Sequence, residues 1–149
     1  MRIEKSVEIA APPEKIWPFL VEPEKIMRWF TLLKKFEYTS EQHSGVGITF
    51  YYEESNGPML MKLSYEVTEW VENERLAFKM TSGPASTKRD NQVWAIEANP
   101  SGSKFTCTEE FEMSWGVLGR LLVALMGGMV GKRIQEMLVN LKRVVEAQA

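Results

Sequence analysis

Val117–Ala147 reads VLGRLLVALMGGMVGKRIQEMLVNLKRVVEA. Leu118, Leu121, Leu122, Leu125, Met129, Ile134, Met137, Leu138, Leu141 and Val145 recur in it at spacings of three and four, the period of a helix with an apolar side. At 1.5 Å per residue such a helix is about 45 Å long, longer than any strand the chain offers, so it must lie across a sheet. Its two halves differ. The C-terminal half carries Lys132, Arg133, Gln135, Glu136, Asn140, Lys142 and Arg143 on a wet side, whereas the N-terminal half is apolar nearly all round, with Arg120 its only charge. A helix apolar on every side calls for cover on every side, and that is the expectation here. Gly127-Gly128 interrupts it at about 1 kcal/mol per glycine relative to alanine, which points to a bend or a close contact.

Upstream of this helix the period changes from helical to two. Ile3, Val7 and Ile9 alternate with Glu4, Ser6 and Glu8, a strand with one buried face. Ala11-Pro12-Pro13 ends it, and two short helices are expected next, Pro13 to about Leu20 and a second from Pro23 through Phe30. From Phe36 to Phe111 the chain reads as antiparallel strands, punctuated at His43-Ser44-Gly45, Ser55-Asn56-Gly57-Pro58, Asn73, Ser82-Gly83-Pro84 and Asn99-Pro100-Ser101-Gly102. Met59, Met61, Leu63, Tyr65 and Val67 alternate with Leu60, Lys62, Ser64, Glu66 and Thr68, the clearest two-faced strand in the chain. About seven strands result. The order strand, two short helices, six strands, long helix contains no βαβ repeat and predicts an α+β fold. No linker or internal repeat divides the chain, so residues 1–149 are expected to form one domain.

Composition excludes several function classes. With 18 basic and 20 acidic residues the formal net charge is −2, and the dibasic pairs are scattered, so nucleic acid is not an expected partner. One cysteine, Cys107, allows no intrachain disulfide, and with a single histidine it supports no Cys/His zinc site. No metal and no cofactor is therefore expected, and a cytoplasmic location fits best. The N-terminus shows no apolar stretch of a secretion signal, and residues 115–131 contain Arg120 and five glycines, too interrupted for a span of roughly 20 apolar residues. His43 stands in a polar turn without a nucleophile or carboxylate beside it, so no Ser/His/Asp or Cys/His set can be assembled. Gly127-Gly128-Met-Val-Gly131-Lys132-Arg133 fails as a phosphate-binding loop, because Met126 and Arg133 stand where that motif needs glycine and a hydroxyl.

Ala11-Pro12-Pro13 with Trp17, then Pro23 and Trp29, Gly45-Val46-Gly47, Tyr65 to Trp70 leading to Arg75-Leu76, Ser101 to Thr106, and Leu141-Lys142 with Glu146 together resemble the START-like (SRPBCC) superfamily. The similarity is greatest to its polyketide cyclase/dehydratase-like branch and runs the full length. One departure is Glu72-Asn73-Glu74, where that family often has proline before its Arg-Leu pair, a difference of turn geometry. The resemblance implies a helix-grip fold: a seven-stranded curved antiparallel sheet wrapped around the C-terminal helix, with a deep cavity between them roofed by the two short helices. The scaffold hosts lipid carriers, cyclases, hormone receptors and co-chaperone domains, so fold alone does not choose among them.

Alternation independently aims Tyr38, Phe50, Tyr52, Met61, Leu63, Tyr65, Phe78, Met80, Gln92, Trp94, Cys107 and Phe111 inward, facing Leu118, Leu122, Leu125, Met126 and Met129 of the helix. Methionine adapts to irregular apolar shapes, which suits a cavity wall as well as a packed core. Glu109 is the candidate catalytic residue, because strict alternation between Cys107 and Phe111 aims its carboxylate at the apolar interior. An unpaired buried charge is expensive, so Glu109 must be paired, with Arg120 for example, or hydrogen-bonded, or keep its proton. Asp90 lies on the same face. Three functions remain open. One is binding of a small hydrophobic molecule such as a lipid, polyketide or aromatic metabolite, by a monomer or homodimer. Another is cyclase or dehydratase chemistry with Glu109 moving a proton. The third is a co-chaperone-like module whose apolar Trp115–Val130 segment meets a protein.

Overall fold

The computed structural model describes residues 1–148. In chain order it contains β1 (Arg2–Ile9), α1 (Pro13–Ile16), α2 (Pro18–Val21), α3 (Pro23–Trp29), β2 (Leu33–Tyr38), β3 (Thr49–Asn56), β4 (Met59–Val71), β5 (Arg75–Ser82), β6 (Thr87–Asn99), β7 (Gly102–Met113) and α4 (Gly116–Glu146). The strands form one antiparallel sheet of order β1-β7-β6-β5-β4-β3-β2, in which α1–α3 carry the chain from one edge to the other. This is the expected helix-grip α+β architecture. The short helices number three, because Pro18, which lacks an N–H, divides the expected Pro13–Leu20 segment at Trp17. A proline occupies the first turn of each.

The two-residue period buries the inward rows. Phe50, Tyr52, Leu63, Tyr65, Val67, Phe78, Trp94, Ile96, Phe105 and Cys107 are all buried. The chain reverses between β4 and β5 at Asn73 with φ of 66°, a left-handed conformation that asparagine tolerates. Gly102, with φ of 136°, opens β7 where a Cβ would strike the Ile9 carbonyl, and the buried Ser103 hydroxyl donates to the Ala11 carbonyl at 2.8 Å. That contact locks the β6–β7 hairpin onto the end of β1.

Helix α4 packs on β1, β7 and α3. Ile134, Leu138, Leu141, Val144 and Val145 form its buried stripe, so the C-terminal half is the amphipathic scaffold expected. The N-terminal half is not covered on every side, as its composition had suggested. Val117 is 71% exposed, Leu118 60%, Leu121 57% and Leu125 80%. These side chains turn away from the sheet, while the same half of the helix approaches it through Gly119, which sits against Met113 at the end of β7. Gly127 lies against the Met1 side chain and Gly131 against the Lys5 stem, so the glycines serve close approach, and α4 runs through them without a break. No helix among the described residues is long and apolar enough to cross a membrane.

Candidate functional site

Between the concave face and α4 lies a chamber of about 260 Å³. Of the residues expected to face inward, Tyr52, Met61, Leu63, Tyr65, Gln92, Trp94, Cys107, Glu109, Phe111, Met126 and Met129 line it. Tyr38, Phe50 and Phe78 instead line a void of about 20 Å³ behind it, between the sheet and the short helices. Tyr38 is occupied structurally: its hydroxyl donates to the Val21 carbonyl, and burial with the Glu22 charge pushes the phenol up to about 12. Leu122 is half-buried on α4 and is not among the residues lining either space, while Leu118 and Leu125 point to the surface. Met129 is 72% exposed and stands at the rim.

The back wall is a stack of aromatic rings. Tyr52 and Tyr65 stack with centroids 5.3 Å apart, Phe50 stacks on Tyr65 at 5.3 Å, and Phe78 meets Trp94 edge-on at 5.1 Å. Such rings are stiff and hold their polar tips in place. The Tyr52 hydroxyl donates to that of Tyr65 at 3.1 Å, and Tyr65 donates to Oδ2 of Asp90 at 2.6 Å. Gln92 donates to the same Oδ2 at 3.3 Å while its own carbonyl accepts from the Trp94 indole at 3.3 Å. Burial holds both phenols well above their ordinary range, so they act as donors. Asp90 Oδ1 is buried with no such partner among the described residues.

Glu109 faces Gln92 across the β6–β7 pair, and Asp90 lies two residues back on the same face. Its carboxyl is held well above the usual range, first by burial, then by the Asp90 carboxyl beside it, and further by Glu54, with Arg133 opposing. Glu109 therefore holds its proton to a higher pH than an ordinary carboxyl does. Its cationic neighbour is Arg133, not Arg120, which is exposed. Arg133 was expected on the wet side of the helix. It turns instead to the chamber and forms an ion pair with Glu54, a carboxyl that burial raises and Arg133 holds down. Both residues were legible in spacing: Glu54 continues the Phe50, Tyr52 alternation, and Arg133 lies between Met129 and Met137 at helical intervals of four. Trp29, the last residue of α3, and Phe30 just after it also close the chamber. Cys107 is a buried thiol pushed up by desolvation, an apolar wall element. Among the described residues no group of three or more His, Cys, Asp or Glu side chains is placed to hold a metal ion.

Residues 1–146 match the sequence model of a family described as polyketide cyclase/dehydrase and lipid transport. The chain belongs to that family. An uncharacterized protein of Mycobacterium tuberculosis is 26% identical over 147 residues, covering 96% of this chain and 83% of the relative. Among solved structures, one from Thermus thermophilus superposes with a TM-score of 0.83 at 18% identity, covering 100% of this chain and 99% of the other. The Zhui aromatase/cyclase of a Streptomyces species superposes with a TM-score of 0.79 at 12% identity, covering 98% and 93%. These likenesses show that this polyketide cyclase/dehydrase and lipid transport family member shares the helix-grip fold with them. Its chamber chemistry is read from its own residues.

Proposed function

We propose that this protein binds a small hydrophobic molecule, such as a lipid, polyketide or aromatic metabolite, in the chamber between the sheet and α4. The observation that carries the reading is a space of about 260 Å³ walled by Trp29, Leu63, Trp94, Phe111 and Met126 beside the clustered apolar core. Interiors are normally packed to crystal-like density, so an unfilled apolar chamber with a few convergent polar groups is the usual form of a ligand site. Membership of a family described by lipid transport as well as cyclisation supports it. The proposed setting is cytoplasmic, in keeping with the single buried thiol of Cys107. The test is fluorescence titration of purified, delipidated protein with the neutral apolar probe N-phenyl-1-naphthylamine, with native mass spectrometry of the untreated protein alongside. Saturable binding at one site per chain is expected; no enhancement and no co-purifying mass would sink the reading.

A second reading rests on Glu109. A carboxyl that keeps its proton beside a rigid phenol chain is equipped to act as a general acid, as a cyclase or dehydratase requires. If the protein turns over a polyketide-like substrate, Glu109→Gln should slow turnover by about a hundredfold or more while the substrate still binds. Full turnover in that variant would remove Glu109 from the chemistry.

A further inference from the structure

The ionisable groups of the chamber are unbalanced in sign and in hydrogen-bonding capacity. Three carboxyl groups, Glu54, Asp90 and Glu109, face one cation, Arg133. Glu54 already engages that cation, and neither Asp90 nor Glu109 forms an ion pair among the described residues. Asp90 is only 6% exposed, and its Oδ2 takes the protons of Tyr65 and Gln92. Oδ1 receives no hydrogen bond from any group among the described residues. Glu109 stands beside Asp90 on the same face and donates no hydrogen bond to it. The inner wall therefore holds more acceptors than donors, and a buried acceptor left unmatched is costly.

What would complete this wall is a donor brought by the ligand. A carboxylate head would instead place a further anion beside the Asp90 and Glu109 carboxyls, and would have to share with Glu54 the one cation of the chamber, Arg133. Building on the hydrophobic-binding reading, we infer that the chamber selects apolar molecules whose head group donates hydrogen bonds, a protonated amine or a hydroxyl seated on Asp90 Oδ1, and rejects fatty carboxylates with the same body. The amine should be favoured over the hydroxyl, because a charged donor makes the stronger hydrogen bond to a carboxylate. The tail fixes depth in the chamber and the head fixes identity.

The test is displacement of N-phenyl-1-naphthylamine from the full chain at neutral pH by decylamine, decanol and decanoate, each kept below its micelle concentration. Their tails are identical, so the ranking reports the head group alone. Decylamine should bind about tenfold or more tighter than decanoate, with decanol between them. Asp90→Asn should bring decylamine and decanoate within about threefold of each other, because the amide offers no charge to the ammonium. Decanoate equal to or tighter than decylamine overturns the inference while leaving the binding reading intact, as does an Asp90→Asn variant that keeps the amine preference. Displacement by none of the three, with the probe bound, also overturns it. A probe that does not bind at all removes the binding reading itself. The wild-type ranking decides the matter without the variant, should Asp90→Asn not fold.

Discussion

Replacing Glu109 with glutamine gives the sharpest signature the structure predicts. Burial and the neighbouring Asp90 carboxyl hold Glu109 well above its ordinary range, so the native protein keeps to higher pH a proton that the unfolded chain releases above about pH 4.3. Between the unfolded and the native pKa the native state binds more protons, so this group's contribution to stability is fully present below the unfolded value. It is lost as pH rises through the folded one, at about 1.4 kcal/mol per pH unit. A glutamine amide does not titrate. The variant should therefore gain on the wild type as pH rises. In a chain of 149 residues 1 kcal/mol moves the melting temperature by about 2–4 °C, so the gap should open by about 3–6 °C per pH unit. Paired thermal melts by circular dichroism, from about pH 4.5 to 8, measure it, and taking the difference cancels the carboxyls common to both proteins to first order. A gap that stays constant across that range, or closes as pH rises, refutes the assignment of a proton to Glu109.

Two further predictions probe the scaffold and the rim. Leu141→Ala, at a site 0% exposed, should cost about 2–5 kcal/mol, whereas Leu125→Ala, at a site 80% exposed, should lie within about 0.5 kcal/mol of the wild type in urea denaturation. Arg133→Gln removes the cation that offsets burial of Glu54 and should destabilise the protein by about 1–3 kcal/mol at neutral pH. That loss should shrink in acid as Glu54 takes up a proton, and a loss independent of pH would show that Arg133 acts through packing alone.

Alternation made the inward rows of β3 to β7 legible, and with them Glu109, because a strand has only two sides and Cys107 and Phe111 fix which one is inside. The same logic reached Tyr52, Tyr65, Gln92 and Trp94. It did not separate Phe50 and Phe78, which back the wall, from Tyr52 and Trp94, which also face the chamber, since period tells the side a residue takes and not the gap to the opposing layer. Helix α4 misled for a related reason. The apolar character of Leu118, Leu121 and Leu125 was plain, but whether a surface lies over them depends on how far the sheet extends beneath the helix, a property of the whole assembly. Arg133 was placed in water by its charge alone. The Glu54 carboxyl that draws it inward lies 79 residues away in sequence.

The lock at Gly102 has a consequence for how the molecule is made. β1 is made before the other strands of its sheet, yet its partner is β7, with Arg2 paired to Glu110 and Ile9 to Ser103. At about 5–20 residues per second on the ribosome, a strand so placed waits roughly 5–20 s before its mate emerges, and α4, which packs on both, comes later still. Long-range closure of this kind slows folding and leaves a bare strand edge in the meantime. Glu4 and Glu8 alternate through that strand with Ile3, Val7 and Ile9, and charges so spaced discourage pairing with a neighbouring nascent chain. The outward face of β1, which in the finished protein pairs Glu4 with Arg2 and Glu8 with Asn99, thus has an earlier task while the rest of the chain is still being made.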